Sequence, residues 1–548
     1  MSVHDAEPSQ WEIPRPGAPA DARPFAGFGE LFADVCLAAA AVERPAVTAL
    51  TDDRTSLSFR QAEDAVTAVA VGLWTLGIHQ GDVVSWQLPA WHEAHLLHLA
   101  VIRIGAISNP IDLRCRGAEL EDALVRARSR LVVVPEEFDG FRHSDEVTRS
   151  RAVLPELRHV VVARPGRDRV ARSFDSLRRH AGVRHETVPR TPDDPALLVF
   201  TAGTGGRSKA VVHTHRSLAS AGRGVIDRFR LTAGRPVFAG ASSGDATGFV
   251  YGVQVPAMLS ASVVLGQTRR PRASRRLIAR HRCGLVVAEP GLVRAFAEPP
   301  TVDADFSALH ALVCVTGTVT AAELRAAAQN LARPVARAFG LAEYPALAIG
   351  APGQGHGHTT YHLLPGATAV LVDHPAVAAS RAAGTGELSV SGPALFAGYL
   401  AGPDSARPAT SDGWFRTGDV VVDHGRDGFA VHGKAADRVR RGDEELEVTA
   451  LEDVAREHRG IRDVALVGMP CPALRQRVCA FVVPAPGCRP TLPELADFLL
   501  RQGVARRMLP ERLEVVARLP RTPAGEIRRF RLRELITTRL IEEFFASL

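Results

Sequence analysis

The segment LLVFTAGTGGRSKAVVHTHRS (197–217) gathers the groups best suited to bind an anion: Thr201, Gly203, Thr204, Gly205, Gly206 and, at its end, Lys209. Closely spaced glycines let backbone N–H groups approach a negative charge, hydroxyls add donors, and an ammonium supplies full positive charge. That chemistry is phosphate binding. The GK[ST] ending of the common nucleotide P-loop is absent, so this is not the P-loop of the usual NTPases. A Gly/Thr-rich loop alone also suits a plain surface turn. The lysine tips the balance: among 66 basic residues only Lys209 and Lys434 are lysines. Other groupings say less. His213 and His215 alternate along one strand, a spacing open to a metal or to nothing. His356, His358 and His362 in GHGHTTYH lack carboxylate or cysteine partners and read as a solvated loop.

The elements that position this loop follow from the hydrophobic pattern. Short apolar, β-branched runs read as buried strands: DVVSWQLP (82–89), RLVVVP (130–135), HVVVA (159–163), ALLVFTAG (196–203), CGLVVAEP (283–290) and ALVCVTG (311–317). Stretches between them, such as EAHLLHLAVIRIGA (93–106), carry helical spacing. This alternation predicts an α/β fold with mainly parallel sheets. After the charged stretch GKAADRVRRGDEELEV the units shorten: DVALVGMP (463–470), RVCAFVVP (477–484), TLPELADFLLRQG (491–503) and RLEVVARLP (512–520). The division predicted is a flexible segment over 1–27, a large multi-sheet α/β domain over 28–432, and a small mobile α+β lid domain over 433–548. A large body with a small mobile one suits a two-substrate site in the crevice between them.

Composition narrows the class. The chain has 548 residues, 46% hydrophobic and 23% charged, an ordinary globular balance that excludes general disorder. No run of eighteen uninterrupted apolar residues appears, so no membrane span is expected, and Phe249–Gln267 reads as core. A net charge of +6, spread rather than blocked, argues against a nucleic-acid partner. RRPRASRR (269–276) and RRFRLR (528–533) read as solvated helix faces. The N-terminus is acidic and Pro-rich, and the seven cysteines are scattered without a CxxC pair; both point to the cytoplasm.

Taken with FGLAE (339–343), GELSVSGPALFAGYL (386–400), GWFRTGD (413–419) and LPRTPAGEIRR (519–529), the phosphate loop resembles that of the adenylate-forming superfamily of acyl-CoA synthetases, adenylation domains and luciferases. The resemblance covers roughly residues 30–545, and is most similar to medium-chain and alicyclic acyl-CoA ligases in LPAWHEAHLLHLAVIRIGAISNPI and in ATGF (246–249). It implies two cofactors, ATP and Mg²⁺. By resemblance Thr201, Gly203, Thr204, Gly205, Gly206 and Lys209 hold phosphates, and Glu343 with Thr204 ligates the magnesium. Phe339 packs on adenine, with Thr316, Gly317, Gly340 and Ala342 beside the nucleotide. Asp419 takes the ribose hydroxyls, Lys434 joins the catalytic set, and Asp245, Phe249 and Gly317 meet the substrate.

Departures from the family pattern fall where the chemistry lies. Ala202, Gly205, Ser208 and Ala210 replace Ser, Thr, Pro and Gly in the loop, and Ala342 replaces a phosphate-binding Thr. Glu526 stands at the place of the adenylation lysine, a charge reversal beside a developing pentavalent phosphate. Lys434 replaces an Arg, Ala436 a charged hinge residue, and Asp443 the second glycine of the loop lining the pantetheine tunnel. Asp245 stands where related ligases tend to have His, and a carboxylate there suits an amine better than an acid. The reading is ATP-dependent activation of a small acid as an AMP mixed anhydride with release of pyrophosphate, in specialised metabolism, followed by transfer to CoA or an amine. Two alternatives stand beside it: a diazotase that activates nitrite for an aryl amine, and a non-catalytic nucleotide-binding scaffold.

Overall fold

The computed structural model describes residues 31–166, 172–180, 188–201, 208–266, 270–298, 304–315, 319–352, 359–372, 384–400, 413–442, 444–446, 448–521 and 527–546. The expected N-terminal lead-in lies outside them. The apolar runs form strands: Leu131–Pro135, Leu285–Ala288 and Ala311–Cys314 are buried along their whole length. Runs without polar alternation must be covered on both faces, as helices cover a parallel sheet.

Among the described residues the strands of the large domain make one sheet of thirteen, one of eight and a two-stranded hairpin, Glu137–Phe138 with Phe141–Arg142. The core of the eight-stranded sheet is parallel, with Val83–Trp86 between Ile107–Pro110 and Leu131–Pro135. At one side Pro195–Phe200 turns back antiparallel into Ala210–Thr214, pairing Phe200 with Ala210. The thirteen-stranded sheet is parallel from Thr48–Thr51 through Val335–Phe339. It then changes to antiparallel, from Ala348–Pro352 out to Thr368–Val372. The expectation of mainly parallel sheets thus holds for one half of this sheet. In the other half, strands such as Val335–Phe339 and Ala348–Pro352, or Phe415–Asp423 and Phe429–Lys434, are joined by connections too short for a parallel crossover, so they pair antiparallel.

The helix His92–Arg103 buries every residue from His92 to Ile102 between the layers. Helix Ala118–Arg126 buries Leu120, Ala123 and Leu124 and turns its charges outward. His215–Phe229 starts at a capping box, in which Thr214 and Ser217 satisfy each other's backbone N–H groups.

The small domain is α+β. Its hairpin Ile461–Cys471 and Arg475–Pro484 carries Val439–Arg441 on one side, and Arg512–Val515 runs parallel to the second hairpin strand. Helices Thr449–Arg456, Leu492–Arg501 and Arg529–Ala546 accompany the sheet. Phe429–Lys434 belongs to the large sheet and Val439–Arg441 to the small one, so the change of sheet falls between 434 and 439; the sequence reading places it at 432/433. Among the described residues no helix is long and apolar enough to cross a membrane.

Candidate active site

Loops that follow parallel strands of the two sheets meet here, the usual ligand position in open α/β sheets. The loop after Ile107–Pro110 meets the loop after Val237–Ala239 there. The Ser242 hydroxyl donates to Asp112 Oδ2 at 3.1 Å. The backbones touch: a Cβ on Gly244 would lie 2.4 Å from the Asp112 nitrogen, so only glycine fits. Arg114 forks onto Asp112 with two bonds of 2.9 Å. Asp245 caps the short helix Ala246–Phe249, its Oδ1 accepting from the Gly248 N–H at 2.9 Å. Phe249 is wholly buried, its ring edge-on to His98 at 4.7 Å.

The FGLAE segment leaves strand Val335–Phe339 and is gripped from both sheets. A Cβ on Gly340 would meet the Pro345 carbonyl oxygen at 2.1 Å and Thr247 Oγ1 at 2.5 Å. The Ala342 carbonyl accepts from His213 Nε2 at 2.7 Å, and His213 Nδ1 faces the Ser217 hydroxyl at 3.0 Å. Burial pushes the His213 imidazole down to about 4, so it is neutral, one nitrogen donating and the other accepting. His213 is thus a strut for the active-site turn. His215, the other histidine of the pair, opens the next helix and packs its ring 4.7 Å from Phe32. The two do not form a metal pair.

Two predicted residues, Lys209 and Glu343, converge on a third that the motif reading passed over. Tyr399 donates its hydroxyl to Glu343 Oε1 at 2.7 Å, and the Lys209 Nζ lies 4.9 Å from the centre of the same ring. Burial, followed by the Glu343 charge and hydrogen bond, holds the phenol protonated far above its ordinary range, so it acts only as a donor here. The stem of the Gly/Thr-rich loop closes at its base: Thr201 N–H donates to the Lys209 carbonyl at 2.8 Å, and Lys209 N–H to Thr201 Oγ1 at 3.0 Å. Tyr399 was legible only as part of GELSVSGPALFAGYL. Its two-residue strand Gly398–Tyr399 pairs with Val211 and Val212, and this pairing brings the ring to the lysine.

A second group lies on the antiparallel half of the large sheet. Asp419 and Lys434 face each other across neighbouring strands. Lys434 Nζ donates to Asp419 Oδ2 at 2.8 Å and to the Thr417 carbonyl at 3.2 Å. Asp419 is buried, and its own N–H donates to Thr417 Oγ1 at 3.0 Å. Phe339 packs 5.3 Å from Tyr361, whose buried phenol is raised first by desolvation and further by the Asp419 charge. An aromatic surface and a carboxylate held by a lysine therefore lie on the same antiparallel half of the sheet. Gly203, Thr204, Gly205, Gly206, Thr316, Gly317, His356, His358, Asp443 and Glu526 lie outside the described residues.

Among the described residues one trio of metal-ligand type comes together: Asp52, His92 and Glu93. Arg164 fills the cation's place. Its guanidinium donates to Glu93 at 2.8 and 3.0 Å, contacts Asp52, and lies 3.9 Å over the Trp91 ring. This is a buried ion network that ties three chain segments together.

Comparison with known proteins agrees with this geometry. Residues 37–400 match the family model of AMP-binding enzymes, and residues 450–526 the model of the AMP-binding enzyme C-terminal domain. A medium-chain fatty-acid–CoA ligase of Escherichia coli (strain K12) is 29% identical over 502 residues, covering 89% of this chain and 87% of that protein. A salicyl-AMP ligase / salicyl-S-ArCP synthetase of Mycobacterium tuberculosis (strain ATCC 25618 / H37Rv) is 29% identical over 480 residues, covering 86% and 84%. The fold matches the crystal structure of an anthranilate CoA ligase in complex with anthranoyl-AMP, with a TM-score of 0.77, 22% identity, and coverage of 93% and 98%. With a Gly/Thr-rich loop stem, a carboxylate–phenol–lysine cluster and a lysine-held aspartate in place, and with both family models matched, the chain belongs to the family of AMP-binding enzymes, the adenylate-forming ligases.

Proposed function

We propose that this protein activates a small aryl or acyl carboxylic acid with ATP and passes the acyl group to a thiol, that of CoA or of a carrier protein. The observation that carries the reading is the Lys209–Tyr399–Glu343 cluster on the stem of the phosphate loop. It sets one ammonium and one carboxylate at opposite parts of a single phenol, the arrangement a polyphosphate and its counter-cation need. In the first step a carboxylate oxygen bonds to the α-phosphorus, the bond between that phosphorus and the α–β bridging oxygen breaks, and pyrophosphate leaves. In the second the thiol sulfur, losing its proton, bonds to the acyl carbon, and AMP leaves with the electron pair of the acyl–oxygen bond.

On this reading Lys209 neutralises phosphate charge, and Asp419, held by Lys434, accepts hydrogen bonds from the ribose hydroxyls. Phe339 offers its ring to the base. Mg²⁺ arriving with ATP would take the Glu343 carboxylate, a hard oxygen donor oriented by Tyr399; there it supplies charge stabilisation to the phosphates. Asp245 is committed through Oδ1 to the helix cap, and the relatives named above are ligases of carboxylic acids, so the nitrite alternative gains no support. The test is pyrophosphate release across a panel of medium-chain, benzoic and aminobenzoic acids with Mg²⁺ and ATP. Acid-dependent release for any member supports activation; stabilisation by ATP with no release for every member returns the protein to the scaffold reading.

A further inference from the structure

The helix Ala118–Arg126 touches the phosphate loop at one end and the small domain at the other. At its C-terminal end Arg126 donates through Nη1 to the Ser208 carbonyl at 2.5 Å, one residue before Lys209. The same guanidinium lies 5.4 Å over the ring of Phe200, on the opposite side of the stem, and is braced by Asp122 at 3.2 Å. At its N-terminal end Glu119 accepts from Arg528 of the small domain at 2.8 Å. Seven residues at 1.5 Å rise separate the two contacts by about 10 Å.

Both ends are firmly held. Arg528 is anchored by its neighbours: its N–H donates to the Pro520 carbonyl at 2.8 Å, Ile527 bridges Arg521, and Arg529 Nη2 donates to both oxygens of buried Glu452 at 2.8 and 2.9 Å. The helix is clamped from its other flank, where the Gly117 N–H donates to Glu146 and the Ser150 hydroxyl to Glu121, each at 2.6 Å. A packed helix moves as a unit, so a displacement at Glu119 is carried to Arg126.

We propose that this helix is a strut coupling the small domain to the phosphate loop, with Arg528–Glu119 as its lid-side latch and Arg126 as the residue that positions the loop stem at Ser208. The proposal rests on the ATP reading above for its main assay. Coupling of this kind is reciprocal: the docked lid favours the phosphate-binding stem, and bound nucleotide favours the docked lid.

The experiment is calorimetric titration of the full chain with a non-hydrolysable ATP analogue. Arg528→Gln and Glu119→Gln should each weaken binding about two- to five-fold, the scale of a partly exposed ion pair. Arg126→Gln should weaken it more, and Arg528→Gln added to Arg126→Gln should cost nothing further. The swap Arg528→Glu with Glu119→Arg should recover the loss and guards against a misfolded single variant. Unchanged affinity in both lid-side variants, or losses that multiply in the Arg126 double variant, would overturn the strut. Failure of the unaltered chain to bind the analogue would strike the ATP reading instead. Amide hydrogen exchange over 208–214 then decides the strut: faster exchange in Arg528→Gln supports it, and equal exchange overturns it.

Discussion

Tyr399 offers a way to separate two effects at the site. Tyr399→Phe removes only the hydroxyl that donates to Glu343 at 2.7 Å and leaves the ring 4.9 Å from the Lys209 Nζ. A hydrogen bond to a charged group contributes about 1.5–3 kcal/mol. Glu343 is half-buried, so water replaces part of the lost contact and the lower end of that range applies. At about 1.4 kcal/mol per decade, acid-dependent pyrophosphate release should fall about ten-fold in kcat/KM. The loss should appear mainly in kcat, because the bond orients a carboxylate that works during the reaction. Tyr399→Leu also removes the aromatic face. A cation–π contact at an exposed lysine contributes about 0.5–1 kcal/mol, which adds about a two- to five-fold loss of ATP affinity. Measuring pyrophosphate release and ATP-analogue binding for both variants tests the assignment. Equal ATP affinities in the two variants would remove the role of the ring, and wild-type turnover in Tyr399→Phe would remove that of the hydroxyl.

Lys209→Ala and Asp419→Ala should each weaken ATP-analogue binding in calorimetry, and unchanged affinity in both would displace the nucleotide site. Gly340→Ala should destabilise the large domain by about 1–3 kcal/mol, because backbone oxygen stands 2.1 Å from the new methyl group; an unshifted Tm would contradict the packing described. Burial lowers His95, His213 and His215 to about 4 and His98 to about 3. The unfolded chain takes up these protons near pH 6.5 while the folded chain does not, so stability is full above pH 6.5 and falls as pH drops toward 4. Urea midpoints between pH 7.5 and 4.5 check this, and a flat profile would refute it.

The layered fold was legible because its cause is local in sequence. Runs such as Leu131–Pro135 and Ala311–Cys314 have no polar alternation and therefore must lie inside a covered sheet. The antiparallel half of the large sheet was not legible, since strand direction depends on what the connections between strands permit. Lys209 and Lys434 stood out by their rarity, and Glu343 and Asp419 by their motifs. Their partners did not: Tyr399 meets Lys209 and Glu343 only because Gly398–Tyr399 adds to the edge of the eight-stranded sheet. Asp245 shows the same limit, for a carboxylate before ATGF suits a pocket wall or a helix cap equally until the backbone of Gly248 is seen to claim it. The spacing of His213 and His215 left a metal pair open in one dimension; in three His213 is a neutral buried strut under Ala342. Residue type and spacing determine what chemistry is available and which runs must be buried. Which donor meets which acceptor is decided by sheet register and by the close approaches at Gly244 and Gly340, because those set distances between segments well separated in sequence.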